Sequence, residues 1–302
     1  KIKLIYNPVA GNKSFLNFFD DFFRILNKYD IEIYRTRENE DIQKVFEDIN
    51  SKKYYAIIVA GGDGTFNKVV NGILKNDLDI PLGVIPSGTT NDFAHQINMP
   101  ENYIDGFKVF LNNDNIKKID VGKVNNKFFI NVCVGGNFSE IAHDTNFESK
   151  NKLGRIAYYI KGIKDFPGLK PFSLRISTSN QIIEENILLF LVMNSKRAGG
   201  FDNLAQKAHL DDGLFDLLAI KAGKFYEFPN LLIKIFQNRH LKDNNIIYLQ
   251  DKYFKIEYSN TSFENNYRDI PSDIDGEKGP SLPLEIEVFP RALKVFTKSN
   301  LN

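Results

Sequence analysis

The first third of the chain alternates short apolar runs with amphipathic stretches, which predicts a parallel sheet covered by helices on both faces. Strands are expected at Ile2–Tyr6, Ile31–Arg35, Tyr55–Ala60 and Leu82–Ile85, and helices at Phe15–Lys28, Glu40–Asn50, Phe66–Leu74 and Tyr103–Leu111. Past about residue 116 the pattern changes to strands separated by polar turns. These are Lys117–Val124, Lys127–Val132, Phe172–Thr178, Ile187–Met193, Phe215–Ile220, Ile246–Leu249, Tyr253–Tyr258 and Leu284–Val288, a mostly antiparallel β domain. Two helical segments, Leu153–Ile163 and Phe225–Phe236, interrupt it. The closing segment Ala292–Thr297 is expected to return to the first domain as an added strand. The expected division is an α/β domain over 1–116, completed by 291–302, and a β domain over 117–290.

Three of the early strands end in small, polar, glycine-bearing loops. The apolar run Tyr55–Ala60 meets Gly61-Gly62-Asp63-Gly64-Thr65 and then a helix; Ile2–Tyr6 meets Asn7-Pro8-Val9-Ala10-Gly11. Leu82–Ile85 meets Pro86-Ser87-Gly88-Thr89-Thr90-Asn91-Asp92-Phe93-Ala94. In an open parallel sheet such tips lie along one edge, where ligands bind. Glycines let the backbone approach a polyphosphate, and amides at a helix start point toward the anion. Asp63 supplies a fixed negative charge that suits a divalent cation carried with the phosphates. A glycine pair between strand and helix is also a common tight connection, so the loop alone does not decide the matter.

Composition narrows the classes. With a net charge of +1 over 302 residues, no broad basic face for nucleic acid is indicated. The single cysteine, Cys133, sits in the apolar run Phe128 to Val134 and reads as a core residue. The histidines His95, His143, His209 and His240 lack metal-ligand spacing, no serine sits in a nucleophile elbow, and Gly11-Asn12-Lys13-Ser14 lacks the glycine spacing of a P-loop. No apolar stretch approaches the ~20 residues that span a bilayer and no signal peptide opens the chain, so the cytoplasm is the simplest location.

Taken together, Asn7-Pro8 with Gly11, Gly61-Gly62-Asp63-Gly64-Thr65 and Gly88-Thr89-Thr90-Asn91-Asp92-Phe93-Ala94 resemble the diacylglycerol kinase catalytic domain, as found in soluble bacterial lipid kinases. The resemblance continues through Gly199-Gly200-Phe201, Leu210-Asp211-Asp212-Gly213-Leu214-Phe215-Asp216 and Asp275-Gly276-Glu277, and spans nearly the whole chain. It implies an NAD kinase/diacylglycerol kinase-like α/β domain followed by a β-sandwich acceptor domain, with ATP in the cleft between them. The implied activity is magnesium-dependent transfer of the γ-phosphate to a hydroxyl of diacylglycerol or a related lipid.

Carried over onto this sequence, the nucleotide would be held by Asn7, Pro8, Gly11, Asn12, Lys13, Thr36, Gly61, Gly62, Asp63, Gly64, Thr65, Asn67, Gly88, Thr89, Asn91 and Asp92. Asp63, Asp92 and Asp120 would form a carboxylate network around Mg²⁺. A second, structural magnesium would take the Asp212 side chain and the main-chain carbonyls of His209 and Leu214, although Asp211-Asp212-Gly213 read alone is a β-turn. Asp275 is the candidate general base and Glu277 the second choice, because Glu277 could instead orient it.

The chain departs from the family pattern at Gln206, where relatives tend to have proline, and at Cys133–Phe138. Both lie on the expected acceptor side and leave the lipid unnamed. Lys150, Lys152, Arg155, Lys161, Lys164 and Lys170, with Tyr158 and Tyr159 among them, read either as a peripheral contact with the inner, anionic membrane surface or as a solvated helix face. A homodimer would follow from an edge strand extended between subunits. Two other functions use the same motifs: phosphorylation of a soluble acceptor, as in NAD kinase, and nucleotide or lipid binding without turnover.

Overall fold

The computed structural model describes residues 1–37, 42–47, 49–88, 91–136, 171–199, 201–223, 227–259 and 271–298, and of 11–14 and 228 the backbone alone. The front half carries strands β1 (Ile2–Tyr6), β2 (Ile31–Arg35), β3 (Ala56–Gly61) and β4 (Leu82–Pro86). Helices α1 (Phe19–Ile25), α2 (Lys44–Glu47), α3 (Asp63–Lys75), α4 (Asp92–Gln96) and α5 (Tyr103–Val109) accompany them. The strands are parallel in the order β4-β3-β1-β2. Every residue of β3 is buried, as a central strand covered on both faces requires.

The expected helix from Phe15 instead begins as a 3-10 run, Ala10–Phe18, and becomes α-helical only at Phe19. Its rings explain the tight start: Phe15 packs edge-on against Phe19, Phe22 and Phe107. Within the expected helix Glu40–Asn50 the described helical turn is Lys44–Glu47.

The back half is antiparallel. It contains β5 (Ile116–Val124), β6 (Lys127–Phe129), β7 (Val132–Gly136), β8 (Phe172–Thr178), β9 (Ile182–Met193) and β10 (Phe215–Lys221). Helix α6 (Phe228–Phe236) is followed by β11 (Ile246–Asp251), β12 (Tyr253–Tyr258), β13 (Pro271–Ile274), β14 (Glu277–Ser281) and β15 (Leu284–Phe296). The expected helix Leu153–Ile163 and the basic cluster from Lys150 to Lys170 lie outside the described residues.

Strand β15 serves both halves. Its start pairs with β12, its length with β5, and Val295 meets Leu82 of β4 in parallel. The closing segment thus lies beside β4 of the front sheet. The buried apolar side chains gather as one cluster under the front sheet and two in the back half. No helix among the described residues is long and apolar enough to cross a membrane.

Candidate active site

Strand register fixes where the loops fall. Tyr6 stands opposite Ala60, and Gly61 opposite Pro86, so the loops after β1, β3 and β4 share one edge of the sheet. They also touch. Asn7 donates to Thr65 Oγ1 at 3.4 Å, and the Ser87 amide donates to the Gly61 carbonyl at 3.0 Å. The closest approach is between Gly62 and Gly88: a Cβ on Gly88 would stand 2.6 Å from the Gly62 Cα. A side chain on Gly88 would force the two loops apart, so that position requires glycine, while a Cβ on Gly62 would stand 3.3 Å from the Gly88 Cα, a tight fit. Thr36 is hydrogen-bonded through its amide to the Tyr6 carbonyl, beside the same edge. Gly11, Asn12 and Lys13 lie in the 3-10 run after Pro8, and Thr89 and Thr90 lie outside the described residues.

Asp63 opens α3, and its carboxylate accepts from the amides of Asp92 at 3.2 Å and Phe93 at 3.3 Å. It therefore ties the start of α4 to the start of α3, in the manner of a side-chain cap. Asn91 has φ 48° and closes its own loop, accepting from the Gly88 amide and donating to the Gly88 carbonyl. Asn91 and Asp63 thus brace the backbone of the loop after β4.

The back half reaches this edge through the β13–β14 hairpin. Its turn is Asp275-Gly276, with φ of 51° and 87°, the two left-handed residues a tight hairpin needs. The Asp275 carboxylate is buried and saturated. One oxygen accepts from Asn67 Nδ2 and the Ile130 amide, both at 2.8 Å; the other accepts from the amides of Asn131 at 3.0 Å and Val132 at 2.8 Å. Burial pushes its carboxyl up to about 6, against the opposing pull of these donors. A carboxylate with two donors on each oxygen has no lone pair turned toward a substrate hydroxyl. This geometry gives Asp275 a firm place at the turn of the hairpin.

Glu277, two residues on, is placed differently. Its Oε1 lies where a Cβ on Gly64 would come within 2.8 Å, and Lys68 of α3 holds it at 3.3 Å. The side chain is 45% exposed, so its carboxylate faces the open side of the glycine loop.

Comparison with known proteins bears directly on this arrangement. The profile of the diacylglycerol kinase catalytic domain matches residues 1–124, and that of the YegS C-terminal NAD kinase beta sandwich-like domain matches residues 132–297. A diacylglycerol kinase of Bacillus subtilis (strain 168) is 34% identical over 290 residues, covering 94% of this chain and 92% of the relative. One from Staphylococcus haemolyticus is 32% identical, covering 99% and 88%. A crystal structure from Bacillus anthracis str. Sterne assigned to the diacylglycerol kinases superposes with a TM-score of 0.82 at 27% identity, over all of this chain and 96% of that one.

The chain belongs to the diacylglycerol kinase family. It is an enzyme of a lipid kinase family, with the α/β and β-sandwich-like halves that the sequence led us to expect.

Within this kinase fold the other expected site residues divide. Asp120 is fully buried on β5, and its oxygens accept from the Gly213 amide at 2.6 Å and the Arg291 amide at 2.7 Å. Burial raises its carboxyl, these two amides oppose the rise, and the charges of Asp212 and Asp211 add to it. Among the described residues no three acidic, histidine or cysteine side chains gather closely enough to hold an ion. Through these bonds Asp120 braces the Asp211-Asp212-Gly213 turn and the start of the Arg291 segment. In that turn Asp212 is exposed, its Oδ1 accepting from the Leu214 amide at 3.0 Å, with His209 just before it.

Four residues that the sequence reading passed over complete the site. Asn71 of α3 exchanges hydrogen bonds with the Phe128 backbone at 2.9 and 3.1 Å. Asn131 and Ser195, both buried, are hydrogen-bonded to each other. Arg197 Nε reaches Asp92 Oδ1 at 2.8 Å across 105 positions of sequence. No local pattern announces such contacts. Cys133 is buried, and burial pushes its thiol up, which fits the core role expected of it.

Proposed function

We propose that the protein transfers the γ-phosphate of ATP, presented with magnesium, to the hydroxyl of diacylglycerol or a related lipid. The observation that carries this reading is the approach of Gly62 to Gly88 beside Asp63, with Glu277 of the other half poised over Gly64. Backbone amides at the start of α3 and around the two glycines give a triphosphate its donors. Asn7, Thr65 and Thr36 flank this cradle, with Pro8 beside them, Gly11, Asn12 and Lys13 in the 3-10 run that follows, and Thr89 next to Gly88 in sequence.

The donor set suits magnesium that arrives on phosphates. Asp63 and Asp92 open neighbouring helices, the Asp63 carboxylate accepting from the Asp92 amide, and Mg²⁺ takes one or two carboxylates plus phosphate oxygens and water. When bound, the ion neutralises charge on the phosphates. A second magnesium would be held by the Asp212 carboxylate and the carbonyls of His209 and Leu214, all hard oxygen donors on one turn.

Glu277 takes the role of general base. The acceptor hydroxyl gives its proton to Glu277, its oxygen bonds to the γ-phosphorus, and the bond from that phosphorus to the bridging oxygen of ADP breaks. Asp275 serves this step indirectly: its hydrogen bonds to Asn67, Ile130, Asn131 and Val132 fix the hairpin that carries Glu277. The lipid would approach from a membrane, where the protein would dock peripherally from the cytoplasmic side.

The test is transfer from γ-labelled ATP into a total lipid extract. Label entering the organic phase, in a product identified as a phosphorylated lipid, is the expected result. Label confined to a water-soluble acceptor would assign the same cleft to a soluble substrate, and ATP binding without any transfer would leave only a binding role.

A further inference from the structure

Among the described residues, Arg197 ties the back half by charge to the start of α4, in the loop region after β4. Its Nε lies 2.8 Å from Asp92 Oδ1 and its Nη1 3.2 Å from Asp202 Oδ1, and the pair with Asp92 is largely shielded, at 25% and 7% exposure. Ion pairs on open surface contribute little, but shielding removes much of that screening.

Both ends of the pair are anchored. On one side, the Arg197 carbonyl accepts from Ser195 Oγ at 2.8 Å, Ser195 is fully buried, and Ala198 and Phe201 bridge each other in a tight turn just beyond. On the other side, Asp92 opens α4, and its own amide is held by Asp63.

These contacts join into a circuit around the cleft. It runs from Asp63 to Asp92, across to Arg197, through Ser195 to Asn131, then to Asp275, and back to α3 at Asn67. The circuit crosses between the halves twice, once as a hydrogen bond (Asn67 to Asp275) and once as an ion pair (Asp92 to Arg197). The first crossing sets the hairpin that carries Glu277. The second sets the loop that carries Asp92 and, through the Asp92 amide, the Asp63 carboxylate.

We propose that Arg197 is a positioning residue that clasps the phosphate loop to the acceptor half, holding Asp92 and through it Asp63 in register for transfer. The proposal deepens the kinase reading given above and rests on it for its kinetic consequence. With one arm on Asp92 and another on Asp202, the guanidinium resists both sliding and rotation of the loop. A lysine ammonium keeps the charge but lacks the rigid planar fork that spans the two carboxylates.

The experiment compares the full-length protein with its Arg197→Ala and Arg197→Lys variants. Amide hydrogen exchange without lipid is the first readout. In Arg197→Ala the amides of α4, Asp92 to Gln96, exchange about tenfold faster while those of β3 keep their wild-type rates. Steady-state transfer is the second: kcat falls about 10- to 100-fold, more than KM for ATP rises, because misplaced groups slow the step that needs both halves. Arg197→Lys, which keeps the charge without the fork, recovers part of the lost kcat. Unchanged α4 exchange in Arg197→Ala, or a kcat no better in Arg197→Lys than in Arg197→Ala, would overturn the proposal. A wild-type protein that transfers nothing to lipid would defeat the kinase reading instead, and the exchange data would still judge the clasp.

Discussion

Two turns of the back half share the dipeptide Asp-Gly, with its glycine at positive φ, yet they sit in opposite environments. Asp275 is buried and accepts hydrogen bonds from Asn67, Ile130, Asn131 and Val132. Asp212 is exposed and accepts from the Leu214 amide alone among the bonds described, while Asp120 grips the next residue, Gly213, from below. One carboxylate is consumed by the fold; the other is left facing solvent. An acidic turn is therefore a poor guide to chemistry until its donors are counted. Beside these two turns, Glu277 and Asp212 are the carboxylates that keep few described bonds.

The strongest way to break the comparison is Asp275→Ala. Removing the carboxylate strands several buried donors at once, and the expected loss is about 3–5 kcal/mol of stability, read from the denaturation midpoint. A loss under about 1 kcal/mol would mean that the hairpin does not depend on those bonds. Asp212→Ala probes the opposite case. In metal-free buffer it leaves the melting temperature close to wild type, since an exposed side chain with one bond is removed. Added Mg²⁺ should stabilise the wild type by about 1–3 kcal/mol near saturation and the variant by much less. Equal stabilisation of both would remove this turn as an ion site.

A smaller effect separates Asp212 from its neighbour Asp216. Asp216 is buried against the Tyr248 hydroxyl, and burial raises its carboxyl to about 6, with the Tyr248 bond opposing the rise. A carboxyl raised in the folded state favours folding when protonated. Its contribution is complete below the unfolded value near 3.9 and fades as pH climbs through about 6. Subtracting the stability curve of Asp216→Asn from that of wild type should expose a fall of about 1–2 kcal/mol between pH 4 and pH 7. A flat difference would mean that burial of Asp216 carries no such penalty.

Much of the fold was legible because its signals are local. β1, β2, β8 and β12 begin and end where the apolar pattern places them. The glycine loops at the tips of β3 and β4 were equally readable, since the parallel sheet brings such tips to one edge. Strands β13 and β14 escaped notice because Pro271-Ser272-Asp273 and Lys278-Gly279-Pro280-Ser281 show no apolar alternation; pairing with β7 and with each other defines them. Helix α4 was hidden by its shortness.

Within the site, the sequence found the chemical groups but not their occupancy. Nothing around Asp275 signals that Asn67, some 208 positions away, will fill one of its acceptor sites. The Arg197–Asp92 pair is invisible for the same reason, and so are the bonds of Asp120 to the Gly213 and Arg291 amides, equally remote in sequence.

The central claim is that the glycine edge of the front half and the exposed carboxylate of the β13–β14 hairpin form one phosphotransfer site. Its most direct test is Glu277→Gln beside wild type, with γ-labelled ATP and a total lipid extract, and ATP affinity measured in parallel. The account predicts a fall in transfer of about 10²- to 10⁴-fold with ATP affinity nearly unchanged. Wild-type transfer rates in Glu277→Gln would contradict it.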